Sequence, residues 1–218
     1  MSLLLSARFH TTVAQTRQLS RENIAELAFV GRSNAGKSSA INALCNRRKL
    51  AFASNTPGRT QALNYFAVGR EPAVDSFLVD MPGYGYAVAS KSAREEWGNL
   101  SGRYLATRAQ LCAVVLIVDI RRNLGPLDRA LLEWVRPEQN LLVLASKADK
   151  LNRADQSKAV TELRRLLAEV RPAGLTEVMA FSAPNHIGLE TARKVIEQWL
   201  IAAEKKNRVT HPSDGSTP

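Results

Sequence analysis

The chain has 218 residues, of which 45% are hydrophobic and 23% charged, with a formal net charge of +10. That length supports one full α/β core and excludes two large domains, and no apolar run reaches the ~20 residues of a membrane span. Cys45 and Cys112, with the scattered His10, His186 and His211, have neither metal-ligand nor triad spacing. This pattern argues against a disulfide scaffold and for reduced thiols in a cytoplasmic protein.

The start of the chain, residues 1–10, lacks the charged start, long apolar segment and small-residue cleavage site of a signal peptide. Residues 1–23 read as an N-terminal extension packed against the domain edge. Residues 24–30 read as a strand that enters Gly31-Arg32-Ser33-Asn34-Ala35-Gly36-Lys37-Ser38, and residues 38–44 read as a helix that leaves it. The octapeptide fits the phosphate-binding loop pattern G-x-x-x-x-G-K-[ST]. Its glycines let backbone N–H groups approach phosphate oxygens, Lys37 brings a point charge to the β/γ-phosphates, and Ser38 offers a hydroxyl to Mg²⁺.

Turn signals fill residues 49–59, and residues 60–68 read as an edge-type strand. A short buried strand at 77–80 is followed by a Gly- and Tyr-bearing loop at 81–90 and a helix over 93–108. Buried strands at 112–118 and 141–145 flank a helix at 127–135, which Pro126 precedes. Helix 154–170, strand 177–180 and helix 189–203 complete the pattern, and residues 204–218 read as a disordered tail. Alternating strands and helices imply an α/β fold, a mostly parallel six-stranded sheet with helices on both faces, in one domain over 24–203.

In such a sheet a ligand sits off the carboxyl ends of the strands. Asp80-Met81-Pro82-Gly83 places a Mg²⁺-holding carboxylate and a γ-phosphate-facing N–H there, and Thr60 can complete the metal shell from the preceding loop. Ser146-Lys147-Ala148-Asp149 closes the next strand. Its terminal carboxylate can accept from the N1–H and exocyclic amine of guanine, whereas adenine lacks that donor pair. Lys147 can cover a face of the base, and the backbone N–H groups of Phe181, Ser182 and Ala183 can meet the guanine O6. The combination predicts a GTP site.

The charge is uneven. Residues 1–60 hold nine cations (Arg8, Arg17, Arg21, Arg32, Lys37, Arg47, Arg48, Lys49 and Arg59) against Glu22 and Glu26. This favours a polyanionic partner such as RNA over a merely solubilising surface.

The motifs Gly31 to Ser39, Thr56-Pro-Gly-Arg-Thr-Gln61, Asp80-Met-Pro-Gly-Tyr-Gly-Tyr86 and Ser146-Lys-Ala-Asp-Lys150 resemble those of the EngB (YihA-type) ribosome-biogenesis GTPases. These belong to the translation-factor-related P-loop GTPases. The resemblance spans about residues 24–200. It implies a bacterial cytoplasmic GTPase that assembles the large ribosomal subunit, contacts that subunit or its precursor and rRNA, and is associated with cell division and septation. A monomer is the default expectation, and the lack of a spanning apolar run gives the expectation of no membrane contact. The alternative is a nucleotide-dependent switch that binds protein and does not act on ribosomes.

The expected nucleotide contacts are Gly31, Arg32, Ser33, Asn34, Ala35, Gly36, Lys37, Ser38 and Ser39, with Gly58, Arg59, Thr60 and Gln61 from the first switch. Asp80, Gly83, Ser146, Lys147, Asp149, Phe181, Ser182 and Ala183 complete the set. Lys37, Thr60 and Gly83 are the candidate catalytic residues, and Ser38, Thr60 and Asp80 the Mg²⁺ ligands. One departure is Ser146 where such motifs carry Asn or Thr. Another is Tyr84 at the position where Ras-like enzymes orient water with glutamine, so slow intrinsic turnover is expected. Asn34 is the candidate holder of an activating K⁺, and Arg59 a candidate charge donor or rRNA contact.

Overall fold

The described residues fold into one sheet whose strands are β1 (Arg8–Val13), β2 (Ala25–Gly31), β3 (Leu63–Val68), β4 (Ser76–Asp80), β5 (Leu111–Asp119), β6 (Asn140–Ser146) and β7 (Thr176–Ala180). The computed structural model describes residues 2–52, 62–85, 98–171 and 173–210. The spatial order is β1-β3-β4-β2-β5-β6-β7. Strands β4, β2, β5, β6 and β7 run parallel, while β3 pairs antiparallel with β4 and β1 antiparallel with β3.

Among the described residues the sheet has seven strands where six were expected, because the amino-terminal segment supplies β1. Four of its six residues are exposed, so it carries no apolar run that sequence periodicity could detect. With β1 outside it, β3 is not the edge expected of residues 60–68. The segment is stitched in by specific bonds. The Arg8 guanidinium donates to the Gly69 and Ala73 carbonyls, both at 3.0 Å, and the Gly69 N–H donates to the Ser6 hydroxyl at 2.9 Å. Leu4 is wholly buried, and its N–H donates to Glu197 Oε1 at 3.2 Å.

Among the described residues the α-helices are α1 (Lys37–Leu44), α2 (Arg103–Thr107), α3 (Pro126–Leu132), α4 (Arg153–Val170) and α5 (Leu189–Thr210). A π-turn at Gly98–Gly102 leads into α2 where a regular helix over 93–108 was expected. Helix α3 stops at Leu132, and Trp134 and Val135 close tighter turns onto Leu131 and Leu132. Helix α5 continues past 203 through Glu204, Lys205, Lys206 and Asn207, correcting the tail boundary. Charged helix formers extend a helix as readily as they compose a tail, and the Asn207 side chain donates to the Asn23 carbonyl at 3.1 Å.

Alternation along the strands sorts the core into two layers. Leu27, Phe29, Val115, Ile117, Leu142 and Leu144 face α1 and α5, meeting Ile41, Leu44, Ile196 and Trp199. Ala28, Val30, Val114, Leu116 and Val143 face the other way, toward Tyr104, Leu131, Leu163 and Leu167. Cys45 and Cys112 are both free, and burial pushes each thiol up to about 12, which keeps it protonated.

Candidate functional site

Strand β2 has β4 on one side and β5 on the other, so the chain leaves it in opposite directions and opens a crevice at its carboxyl end. The phosphate loop occupies that crevice. A Cβ on Gly31 would lie 2.9 Å from the Ile117 carbonyl oxygen, so only glycine lets the loop start this close to β5. Gly36 has φ +100, a backbone setting that a side chain would strain. Lys37 then opens α1, and its ammonium is ion-paired with Asp80 Oδ1 at the end of β4. The lysine and carboxylate expected to handle phosphate and metal are thus in direct contact.

The base-side residues meet the phosphate loop from β6. The Ser146 hydroxyl lies 2.5 Å from the Ala35 carbonyl and 3.1 Å from that of Val118; with one proton it donates to one at a time. The shorter contact ties the two loops together, so serine reaches what asparagine or threonine was expected to reach. Lys147, at φ +60, donates to the Asn34 carbonyl at 2.8 Å and pairs with Asp119 Oδ2 at 3.1 Å. Asp149 Oδ1 accepts the Ser182 hydroxyl at 2.7 Å, and Lys150 approaches Oδ2 at 3.2 Å. The Ser182 hydrogen bond is the main reason its carboxyl is held below the usual range.

The expectation for residues 181–183 needs correction. The Phe181 N–H donates to the Ala145 carbonyl at 2.9 Å and the Ser182 N–H to the Ile187 carbonyl at 3.0 Å. Both donors are consumed by the sheet and turn, and the Phe181 ring is core. Ser182 acts instead through its hydroxyl on Asp149, which leaves Ala183 as the one backbone donor of the three. Gly58, Arg59, Thr60 and Gln61 lie outside the described residues, as do Tyr86 and Trp97.

Several residues at this site were not legible in the sequence. Asp119, at the end of β5, is gripped by the Arg121 fork at 2.9 and 2.7 Å and in turn holds Lys147. Those hydrogen bonds, Arg121 first, keep its carboxyl well below the usual range. Its position at a strand end was the available signal. A cleft of about 260 Å³ opens here between Arg32, Asn34, Asp119, Arg121, Asp128 and Lys147. On α1, Asn42 clamps the root of the first switch loop. Its Oδ1 accepts the Leu50 and Ala51 N–H groups at 2.9 and 2.8 Å, and its amide donates to the Ala51 carbonyl at 2.8 Å.

Tyr84 is a buried anchor. Its N–H donates to the Gly31 carbonyl at 3.3 Å, its carbonyl accepts the Ser33 N–H at 2.8 Å, and its phenol donates to Asp128 Oδ1 at 2.5 Å. Asp128 Oδ2 caps α3 by accepting the Gly125 N–H at 2.7 Å. Burial, then the Asp128 charge, pushes the phenol far up, so it stays a donor. Tyr84→Phe is expected to cost about 2 kcal/mol, the worth of a hydrogen bond to a charged group. Urea unfolding measures it, and an unchanged midpoint would show that the bond contributes nothing net.

A family model described as 50S ribosome-binding GTPase matches residues 26–147. The chain is 45% identical over 219 residues to the protein named "Probable GTP-binding protein EngB" of Dechloromonas aromatica (strain RCB), an alignment covering 100% of this chain and 98% of that one. The crystal structure of a probable GTP-binding protein engB superposes with a TM-score of 0.61 at 22% identity, covering 82% of this chain and 100% of that one. Era in complex with MgGDPNP and a segment of 16S ribosomal RNA superposes with a TM-score of 0.60 at 22% identity, covering 81% and 56%. At these identities the two structures share the fold. With 45% identity across the full length of a curated relative, and with Lys37, Asp80 and Asp149 gathered around the phosphate loop, the chain belongs to the EngB family of GTP-binding proteins, enzymes that hydrolyse GTP.

Proposed function

We propose that this GTPase is a nucleotide-dependent switch in assembly of the large ribosomal subunit, acting as a monomer in the bacterial cytoplasm and needed for normal division and septation. The observation that carries the reading is the match of residues 26–147 to the 50S ribosome-binding GTPases. The +10 net charge supports a polyanionic partner. Among the described residues no helix is long and apolar enough to cross a membrane.

The roles follow from the chemistry at the crevice. Lys37 would neutralise the β/γ-phosphates and Asp149 would accept from guanine, with Ser182 orienting it, Lys147 covering the base and the Ala183 N–H meeting O6. Ser38 and Asp80 are hard oxygen donors beside the loop and fit Mg²⁺, with Thr60 as a further ligand. When bound, that ion would offset charge on the phosphate oxygens. Lys37 and Asp80 would then exchange each other for phosphate and metal, and Gly83 would offer its N–H to the γ-phosphate. The unit that does this is the G domain from residue 24 through α5, with residues 2–23 completing its sheet.

The Asn34 side chain would hold an activating K⁺. Asn34 sits at φ 65 and is exposed. Alanine there adds backbone strain of roughly 1–2 kcal/mol, so Asn34→Gly is the cleaner variant. Faster hydrolysis in K⁺ than in Na⁺ for the wild type, and equal rates for Asn34→Gly, is the expected result. Equal rates in the wild type would remove the proposed ion.

The assembly role is tested by sedimentation with ribosomal subunits in GDP or a non-hydrolysable GTP analogue. Analogue-dependent co-sedimentation with the large subunit or its precursor is expected. Absence of any nucleotide-dependent association would overturn the ribosomal role and leave a protein-binding switch.

A further inference from the structure

We infer that Arg47, Arg48, Lys49 and Phe52, at the root of the first switch loop, form a contact surface for single-stranded RNA. The inference rests on the ribosomal reading above and gives it a place on the molecule. Between Glu26 and Glu71 the chain holds no carboxylate, yet it carries Arg32, Lys37, Arg47, Arg48, Lys49, Arg59 and Arg70. Lys37 is committed to Asp80, and Arg32 lines the nucleotide cleft. Arg47, Arg48 and Lys49 are all exposed, and none has an ion-pair partner among the described residues.

The ordinary use of cations here would be to close the carboxyl end of α1. That end is already closed from another helix. Arg193 on α5 donates Nε to the Leu44 carbonyl at 2.8 Å and Nη2 to the Ala43 carbonyl at 2.7 Å, and the Arg47 N–H meets the Asn42 carbonyl at 2.8 Å. The three side-chain charges are therefore surplus to the helix.

Phe52 is the second observation. It is 70% exposed, although the preceding Ala51 is buried and Leu50 packs on the core. A phenylalanine that buries itself gains roughly 1.5–3 kcal/mol, and this one does not. The three Asn42 hydrogen bonds fix the backbone of the two residues before it. It lies three positions after Lys49, a reach of at most ~11 Å. Clustered cations with an adjacent exposed ring suit an unpaired strand, whose backbone meets the charges while a base stacks on the ring. A paired A-form duplex offers no such base face. Because Asn42 belongs to the helix that begins at Lys37 and Ser38, strand binding is joined to the nucleotide site through one rigid turn of α1.

The test measures fluorescence anisotropy of a labelled oligouridylate with wild type, R47Q/R48Q/K49Q, Phe52→Ala and Phe52→Tyr over a KCl series. GDP affinity and unfolding midpoint are followed as controls. Loss of three phosphate contacts reduces the slope of log K against log [KCl] by about 2. Phe52→Ala is expected to weaken binding about 10-fold with the slope unchanged, and Phe52→Tyr to restore it. Wild-type slope in the triple variant together with wild-type affinity in Phe52→Ala overturns the surface. Co-sedimentation with the large subunit separates this from the broader reading. If wild type and variants co-sediment equally, the surface is wrong and the assembly role stands. If wild type ignores ribosomes yet the oligonucleotide results hold, the surface stands and the assembly role falls.

Discussion

Arg108→Met is expected to lower the unfolding free energy by about 3–5 kcal/mol, the largest stability loss anticipated for a single substitution away from the nucleotide. Glu26 on β2 is wholly buried, and its carboxylate is gripped by the Arg108 guanidinium, with Nε at 3.0 Å from both oxygens and Nη2 at 2.5 Å from Oε1. Tyr104 and Tyr65 add phenol donors at 2.6 and 3.3 Å. Burial first, and Glu26 second, pushes both phenols up, so they remain donors. Removing Arg108 leaves a buried charge with two neutral partners. Glu26→Gln in the Arg108→Met background removes that charge and is expected to recover part of the loss. Tyr104 lies on α2 and Arg108 directly follows that helix, so the network ties α2 to the central strand. Gly31 lies five positions along β2 from Glu26, about 16 Å, and GDP affinity is therefore expected to stay within about 2–3-fold of wild type. Urea unfolding with and without GDP checks both statements. A loss below ~1 kcal/mol would place the pair with ordinary surface ion pairs.

What the sequence made legible is what is encoded locally. The phosphate loop is one continuous octapeptide between a β-run and a helix, and three of the five parallel strands, β4, β5 and β6, are apolar runs ending in Asp80, Asp119 and Ser146 with polar chemistry just beyond. Pairings that cross the chain were hidden. Strand β1 has no apolar pattern of its own, because β3 and the Arg8 and Ser6 bonds hold it. Which backbone donors at residues 181–183 remain available depends on β6 and on the turn to Ile187, which no spacing rule reports. The same holds for Tyr84. Its type indicated what it cannot do in hydrolysis, and only the fold shows its phenol capped by a carboxylate 44 positions away.

Asp149→Asn is expected to weaken GTP and GDP binding by about 10³-fold or more, while affinity for xanthosine nucleotides rises. A carboxylate offers two acceptor oxygens, and a site built around such a group can discriminate by as much as ~10⁴–10⁵. At Asp149 the two oxygens are already drawn upon, Oδ1 by the Ser182 hydroxyl at 2.7 Å and Oδ2 by Lys150 at 3.2 Å. Asparagine has one acceptor to share among those donors and the base, and its amide N–H₂ would confront the N–H groups of guanine. A base with a carbonyl in place of the exocyclic amine meets that amide favourably. The pH response follows from the depressed carboxyl. Its ionised form, and the contribution it makes, is fully present above the ordinary carboxylate range near 4 and is lost only as pH falls through the lower folded value. GDP affinity is thus expected to be flat from pH 7 to about pH 5. Because Ser182 is the first cause of the depression, Ser182→Ala should move the acid limb upward and weaken GDP binding about 10-fold. Fluorescent-nucleotide titrations of both variants with GDP and xanthosine diphosphate decide the matter. An Asp149→Asn protein that still prefers guanine would remove this carboxylate from base recognition and shift the burden to Lys147 and the Ala183 N–H.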